Sequence, residues 1–323
     1  MRAALTIAIG VAALLVHVAL MLAAAPVLVG AIRWVQARLA GRVGPPVLQP
    51  WRDLLRLARK QPVLAENASW LFHAAPIGAF AATLAAAALV PAFALGMASA
   101  PFADLLALVG LLALARCTLA LAGLDIGTAF GGIGASRVLL FASFAEPAMW
   151  LVVFTRALLA GTSNLDAIAL LLREGGTGPR VSLGLALVAI VAVAIAENGR
   201  LPAGQPATGL ELAMGRDALA LEYSGRTLAL LEWTAALKLL LWLTLIGTIF
   251  APFGLATPSS GLLTWLLALP VWALKVGLLA AALAGFESAI ARMRLFRVPE
   301  FLGIALLLAL LAAVFLFIGQ GVT

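Results

Sequence analysis

The sequence predicts an all-α, polytopic membrane protein that forms a single integral membrane domain over residues 1–323. The chain is 64% hydrophobic and 11% charged, with a mean hydropathy of +1.12. Its apolar runs reach the roughly 20 residues that a helix needs to cross a hydrocarbon core of about 30 Å. Helices are expected because a backbone in lipid must satisfy its own hydrogen bonds. The longest gap between runs, residues 33–68, leaves no room for a separate soluble domain.

Hydropathy predicts about eight transmembrane helices. Their approximate positions are 4–32, 69–95, 102–122, 138–160, 179–197, 228–251, 261–284 and 301–319. Fourteen of the 21 lysines and arginines lie in alternate gaps, and three lie in the remaining gaps and ends. The positive-inside rule therefore puts both termini on the outer, periplasmic side. Abundant Arg and Ala indicate a GC-rich bacterial genome, so we expect the chain in a bacterial cytoplasmic (inner) membrane.

The N-terminal stretch AAAP at 23–26 resembles a signal-peptidase site. The apolar run before it is too long for a signal peptide, and a strongly basic segment follows it. We therefore expect the first apolar run to be retained as a membrane helix.

Composition excludes several kinds of site. A lone cysteine, Cys117, cannot form a disulfide within the chain or hold an iron–sulfur cluster alone. His17 and His73 are badly placed to bind one haem from both sides, and we find neither a Walker loop nor a metal-ligand spacing. We expect no catalytic residue, no metal and no cofactor bound by this chain alone. The net charge of +7 reflects topology rather than nucleic-acid binding.

The first basic gap predicts a helix on the cytoplasmic membrane surface. Residues 50–60 place Trp51, Leu54, Leu55 and Ala58 on an apolar face, with basic side chains around it. The preceding GRVGPP predicts a rigid turn, because proline fixes φ and glycine permits unusual dihedrals. A simple positive-inside anchor is the alternative interpretation of the same residues.

Two later gaps carry further signals. The glycine-rich GLDIGTAFGGIGASR has no preceding strand, so it favours close helix packing over phosphate binding. The gap after Glu197 balances three arginines with three acids, which an ordinary positive-inside loop would not need. These residues are Arg200, Arg216, Arg226, Glu211, Asp217 and Glu222. Near-helical spacing around Leu219 predicts a segment at the membrane face.

Charged residues within the predicted spans are costly, at about 2.5–3.5 kcal/mol each at a helix centre. They are Arg116, Glu146, Arg156, Glu232, Lys238 and Lys275. Glu146 precedes Pro147 and is either a protonatable site or a charge that locks helices together. Glu232 and Lys238 are six residues apart, so we expect each to have another partner. Arg156 and Lys275 are better explained as snorkelling or structural charges.

Three ordered motifs resemble one known family. GRVGPPVLQPWRDLLRLARK, and AENGRLP followed by ELAMGRDALALEYSG, resemble the signatures of subunit 1 of complex I, the NADH-quinone oxidoreductase. GLDIGTAFGGIGASR with Glu146-Pro147 is closer to the membrane subunits of formate hydrogenlyase and related energy-converting nickel–iron hydrogenases. The resemblance covers essentially the whole chain.

The resemblance implies a subunit that couples a peripheral redox arm to proton or sodium translocation. The implied proton path comprises Glu146, Glu197, Glu211, Glu222, Glu232 and Lys238. The implied charge partners and junction to the peripheral arm are Arg42, Gln49, Asp53, Asp125, Arg137, Arg200 and Arg226. The implied partners are antiporter-like membrane subunits, iron–sulfur or large hydrogenase-like peripheral subunits and the lipid bilayer, without nucleic acid. Burial would disfavour the charged form of Glu197, and an arginine at position 200 would favour it.

The chain also departs from the complex I pattern. Ala203-Gly204 stand where the family has Phe-Asp, which favours the hydrogenase-related branch. A quinone could still bind at the interface with a peripheral subunit, as in a quinone-site subunit of an NADH-quinone oxidoreductase. A stand-alone secondary transporter and a purely structural anchor are the alternatives from other classes.

Overall fold

The computed structural model describes residues 2–63, 67–173, 181–200, 216–257, 260, 262–289 and 298–321. Its regular elements there are helices, and two isolated β-bridges join neighbouring loops. The α-helices are α1 (Arg2–Leu39), α2 (Gln49–Ala58), α3 (Trp70–Leu89), α4 (Leu105–Asp125), α5 (Ala129–Ala160), α6 (Leu165–Arg173), α7 (Val181–Glu197), α8 (Arg216–Leu221), α9 (Gly225–Phe250), α10 (Leu262–Ala289) and α11 (Val298–Gly321). A single 3₁₀ turn, Ala100–Phe102, precedes α4.

Among the described residues, seven helices are long and apolar enough to cross a membrane: α1, α3, α4, α5, α9, α10 and α11. The predicted all-helical, multi-span membrane class is confirmed. α7 is also apolar but has 17 residues, fewer than the usual span. α1 has 38 residues, and at 1.5 Å per residue its length of about 57 Å exceeds the hydrocarbon core.

The start predicted for the fourth span, residue 138, is wrong because α5 begins at Ala129. The hydroxyl of Thr128 caps this helix by accepting the amide of Gly131 at 3.0 Å. Arg137 consequently lies inside α5 rather than in a gap. The predicted close helix approach is present here, since a Cβ on Gly131 would lie 2.4 Å from the Gly123 carbonyl oxygen.

α9 is the central helix, with most of its side chains buried against α1, α2, α3, α7 and α10. Trp242 is among its largest fully buried side chains. α3, α4 and α5 pack side by side, and α11 covers α5 and α7. This arrangement brings α4, α5, α7 and α9 close enough to share charged side chains.

The helix predicted from residue 50 is present as α2, although Leu55, which was expected on its apolar face, is 53% exposed. Pro50 and Leu54 are buried on its inner side, while its basic side chains are exposed. The indole of Trp51 donates to the Ala23 carbonyl of α1 at 3.1 Å. Gly30 of α1 permits the close approach of the chain before α2, because a Cβ there would lie 1.9 Å from the Val47 carbonyl oxygen.

In two of the long helices, the carbonyl that a proline leaves without its N–H donor receives a hydrogen bond from a side chain of a later element. Pro26 has no N–H for the Leu22 carbonyl of α1, and the Trp233 indole donates to that oxygen at 3.2 Å. Pro76 has none for the Phe72 carbonyl of α3, and the Tyr223 hydroxyl donates there at 3.0 Å. These two hydrogen bonds join α1 to α9, and α3 to the turn just before α9.

The nine-residue α6 was not predicted. It follows Asn164, whose side-chain oxygen accepts the amides of Asp166 and Ala167 at 3.0 and 3.2 Å. The Asp166 carboxylate accepts the Gly96 amide at 2.6 Å, which ties α6 to the chain after α3. Burial raises the pKa of Asp166, and the bond from Gly96 opposes that shift.

Candidate functional site

A chain of four alternating charges joins four helices in the interior. Arg116 of α4 lies between two carboxylates: its Nη2 is 2.7 Å from Glu146 Oε1 of α5, and its Nη1 donates to Glu197 Oε1 at the end of α7. Lys238 of α9 donates to Glu197 Oε2 at 2.6 Å. The two acids and two bases balance to a net charge of zero.

Burial differs along this network. The side chains of Glu197 and Arg116 are 8% and 9% exposed, and that of Lys238 is 19% exposed. Glu146, at the far end, is 34% exposed. Buried charges are tolerated when each has an opposite partner, and Glu197, with two cations, is the centre of the network.

The position of Glu197 at a helix end gives Lys238 two groups to bind. Glu197 is the last residue of α7, where helix carbonyls lack donors from the following turn. The Lys238 ammonium also donates to the Glu197 carbonyl at 3.1 Å, so it caps α7 as well as pairing with the carboxylate. Lys238 therefore faces α7 and has a partner other than Glu232, as the interval of six residues between Glu232 and Lys238 predicts.

A cavity of about 560 Å³ opens beside the network, between α1, α2, α9 and the residues after α7. Asn198, the neighbour of Glu197, forms part of its wall. The charged residues that line the cavity are Arg33, Asp53, Arg200, Asp217 and Glu232. A volume of this size is within the range of small-molecule sites.

Arg200 links the cavity wall to a second acid that the sequence analysis did not single out. Its Nη1 lies 3.7 Å from Glu287 Oε1 of α10, and Glu287 also accepts a hydrogen bond from Gln36 of α1. The Glu287 side chain is 11% exposed. Glu287 falls at the end of an apolar run, where an acid is typical of a solvated helix end, so no sequence signal distinguished it.

A third polar group lies where α4, α5 and the start of α9 meet. Glu222 accepts a hydrogen bond from the Thr128 hydroxyl, and Asp125 accepts the Ser69 amide at 3.0 Å. Between them, the Tyr223 ring stacks on Phe72 with centroids 4.1 Å apart. Burial, together with the charges of Asp125 and Glu222, raises the pKa of Tyr223, so its hydroxyl remains a donor.

The structure separates the candidate residues into groups. Glu146, Glu197 and Lys238 share one network, which Arg116 completes. Asp53, Arg200 and Glu232 line the cavity, where Gln49 donates to Asp53 Oδ1 at 3.0 Å, and Asp125 and Glu222 belong to the third group. Arg42 and Arg226 are exposed at helix ends, Arg137 is within α5, and Glu211 lies outside the described residues.

Arg116 is the member of the network that the sequence analysis left without a role. It was recognised only as an intramembrane charge, because its two partners are 30 and 81 positions away and on other helices. Among the described residues, no three His, Cys, Asp or Glu side chains come together as a metal site.

Comparison with known proteins identifies the family. The family profile described as NADH dehydrogenase matches residues 11–318. The chain belongs to the NADH dehydrogenase family. The resemblance to subunit 1 of complex I is thereby confirmed, and NADH-ubiquinone oxidoreductase chain 1 of Triticum aestivum is 31% identical over 210 residues, 63% of each chain.

Two relatives of this NADH dehydrogenase family member come from hydrogenase systems of Escherichia coli (strain K12). Formate hydrogenlyase subunit 4 is 33% identical over 287 residues, which cover 88% of this chain and 92% of the relative. Hydrogenase-4 component C is 33% identical over 301 residues, covering 93% and 94%. The predicted hydrogenase-related affinity is confirmed.

The fold also occurs in a solved archaeal respiratory membrane complex, the membrane-bound sulfane sulfur reductase. One of its chains superposes with a TM-score of 0.75 at 23% identity, covering 94% of this chain and 99% of that chain. At this level of identity the likeness shows a shared fold. The family member described here therefore shares its fold with a chain of that complex.

Proposed function

We propose that this chain is the membrane coupling subunit of a complex I-like or energy-converting hydrogenase-like redox complex. In this role it passes protons, or sodium ions, through its buried carboxylates when a peripheral redox subunit turns over. The observation that carries the proposal is the network Glu146–Arg116–Glu197–Lys238, which spans α5, α4, α7 and α9. Its alternating charges connect the cavity side of the molecule with the partly exposed Glu146.

The physical basis is the dependence of each buried charge on its neighbours. A proton added to Glu197 would leave Arg116 and Lys238 with less compensation, and burial makes such an imbalance expensive. Asn198, which follows Glu197 in the chain, is part of the cavity wall. A change of charge in the cavity would therefore shift the preferred protonation state of Glu197. Glu232 and Asp53 in the cavity wall extend the path toward the cytoplasmic surface.

The finer topology belongs to the same proposal. We place α7 as an eighth span, both termini on the periplasmic side, and α2 on the cytoplasmic surface of a bacterial inner membrane. The cavity beside α2 then faces a peripheral iron–sulfur or hydrogenase-like large subunit. Antiporter-like membrane subunits complete the ion path. The excess of basic residues in the alternate gaps, even with Arg137 placed inside α5, supports this orientation.

The test measures ion movement per electron in inverted membrane vesicles that contain the assembled complex. Glu197→Gln should lower ion movement per turnover while the peripheral subunits continue to reduce their artificial acceptor. Glu300→Gln is the matched control, because Glu300 is an exposed acid in the first turn of α11 outside the network. Intact coupling in Glu197→Gln refutes the relay. Repeating the assay with and without sodium identifies the ion.

The alternative functions predict different results. A structural anchor predicts less assembled complex in Glu197→Gln but unchanged ion movement per complex. A secondary transporter predicts transport by the purified chain alone in liposomes. Neither result is expected from a coupling subunit.

A quinone-binding role is the second candidate, and the cavity favours it. Its volume of about 560 Å³ and its mixture of apolar wall with Asp53 and Glu232 suit a ligand with a polar head. A photoreactive quinone should then label peptides from α1, α2 or α9 in the complex, and excess unlabelled quinone should prevent it. Labelling that excess quinone does not reduce refutes this role.

A further inference from the structure

We propose that the outward face of α5 seats a transmembrane helix of a partner subunit, which brings a hydrogen-bond donor to Ser143 and Glu146 in mid-membrane. This inference deepens the proposed function and rests on it, because it needs a multi-subunit complex. It assigns the place where the network leaves this chain.

The exposed side chains of α5 form a helix-packing seam. Ser136, Leu140, Ser143, Pro147 and Phe154 are all exposed, and their spacing of four, three, four and seven residues keeps them on one side. An alternation of three and four is the pattern of helices that cross at about 20°. The two serines are small enough to let another backbone approach, as at helix interfaces in membranes.

The middle of this seam carries an open backbone acceptor. Pro147 has no N–H for the Ser143 carbonyl four residues earlier. The carbonyls freed by Pro26 and Pro76 receive the Trp233 indole and the Tyr223 hydroxyl. No side-chain hydrogen bond within the described part of the chain reaches the corresponding oxygen of α5.

Depth makes this acceptor unsuitable for a lipid contact. Ser143 is the fifteenth residue of the 32-residue α5, about 21 Å from its start and about 26 Å from its end. The comparable carbonyl before Pro270, that of Leu266, is only five residues into α10, near a helix end that water can reach. A carbonyl in hydrocarbon is costly without a donor, so a partner helix is the occupant that fits.

The charge beside the seam points to the same chemistry. Glu146 lies at the edge of the exposed face and is 34% exposed. Its cation, Arg116, is shared with Glu197, and Lys238 is bound at Glu197 rather than at Glu146. The Glu146 carboxylate therefore has capacity for another donor, and a hydroxyl, amide or ammonium group on the partner helix would complement it.

The test places a photo-reactive phenylalanine analogue at position 143 of the chain in the assembled complex, in native membranes. The control position is Leu278 of α10, an apolar side chain that is 63% exposed and has no adjacent acid. Irradiation should join position 143 to another integral membrane subunit, identified by mass spectrometry, and position 278 to lipid. Adducts of position 143 with lipid alone, or with a second copy of this chain, overturn the proposal.

A second variant tests the packing directly. Ser143→Trp should reduce the membrane subunits that co-purify with the chain by about tenfold, whereas Leu278→Trp should not. Equal amounts of Ser143→Trp chain in the membrane show that it still inserts. Unchanged co-purification overturns the proposal. If position 143 cross-links as expected and Glu197→Gln still couples, the interface stands and the proton relay falls.

Discussion

The strongest energetic prediction concerns Glu197→Gln in combination with Lys238→Met. The first substitution removes a carboxylate that both Arg116 and Lys238 contact. Arg116 keeps Glu146 as a partner, at 2.7 Å. Lys238, which is 19% exposed, loses the carboxylate that lies 2.6 Å from its ammonium group. The single variant should therefore be destabilised chiefly by the loss of compensation at this ammonium group.

The loss of stability can be estimated from the ion pair that Lys238 loses and the one that Arg116 keeps. Breaking a buried ion pair by removing one partner costs about 3–5 kcal/mol. The amide oxygen of glutamine still accepts one hydrogen bond, and Glu146 still compensates Arg116, so the lower value of about 3 kcal/mol is expected for Glu197→Gln. Lys238→Met in that background removes the less compensated cation and should restore about 2 kcal/mol.

The assay is a double-mutant cycle on the free energy of unfolding. The purified chain is unfolded with SDS in mixed micelles, and the transition is followed by tryptophan fluorescence. The two substitutions should show a coupling energy of at least about 2 kcal/mol. Effects that add to within about 0.5 kcal/mol would show that Glu197 and Lys238 are energetically independent, which would refute the network.

Three further predictions use the same unfolding assay. Gly30→Ala should destabilise the docking of α2 by several kcal/mol, because its Cβ would lie 1.9 Å from the Val47 carbonyl oxygen. The control Gly110→Ala, with nothing within 4 Å of its Cβ, should be neutral or stabilise by up to about 1 kcal/mol. Equal effects of the two substitutions would contradict this packing. Tyr223→Phe should cost about 1–3 kcal/mol, since it leaves a proline-freed carbonyl without its donor, and no loss would show that this bond contributes little. Burial raises the pKa of Asp166 in the folded chain above its unfolded value of about 3.9, so its stabilising contribution is full below that pH and is lost as pH rises through the folded pKa. Asp166→Asn should therefore lose less stability between about pH 4 and pH 7 than the unsubstituted chain, and parallel pH profiles would exclude this origin.

Hydropathy and amphipathic spacing were sufficient to predict most of the fold, because membrane insertion selects for local properties of each segment. The surface helix α2 could be predicted from its Trp51 and Leu54 spacing. The start of α5 could not, since Thr128 capping outweighs the helix-breaking effect of the following glycines. α6 was missed because nine residues are too few for a membrane span.

The candidate site shows a different limit. Sequence analysis named Glu197 as a proton-path candidate and Lys238 as a costly charge that needs a partner, but it could not pair them. Their contact depends on how α7 packs beside α9, 41 positions along the chain. Arg116 and Glu287 have no motif of their own, and their partners are determined only by the tertiary arrangement.

The carbonyl that Pro26 frees in α1 has a consequence for the biogenesis of the protein. The Leu22 carbonyl and its donor, the Trp233 indole, are 211 positions apart. At a synthesis rate of about 5–20 residues per second, about 10–40 s separate their emergence from the ribosome. During that interval the kinked part of α1 needs water, the insertion machinery or a chaperone as its hydrogen-bonding partner. The hydrogen bonding of α1 is thus completed only when α9 arrives.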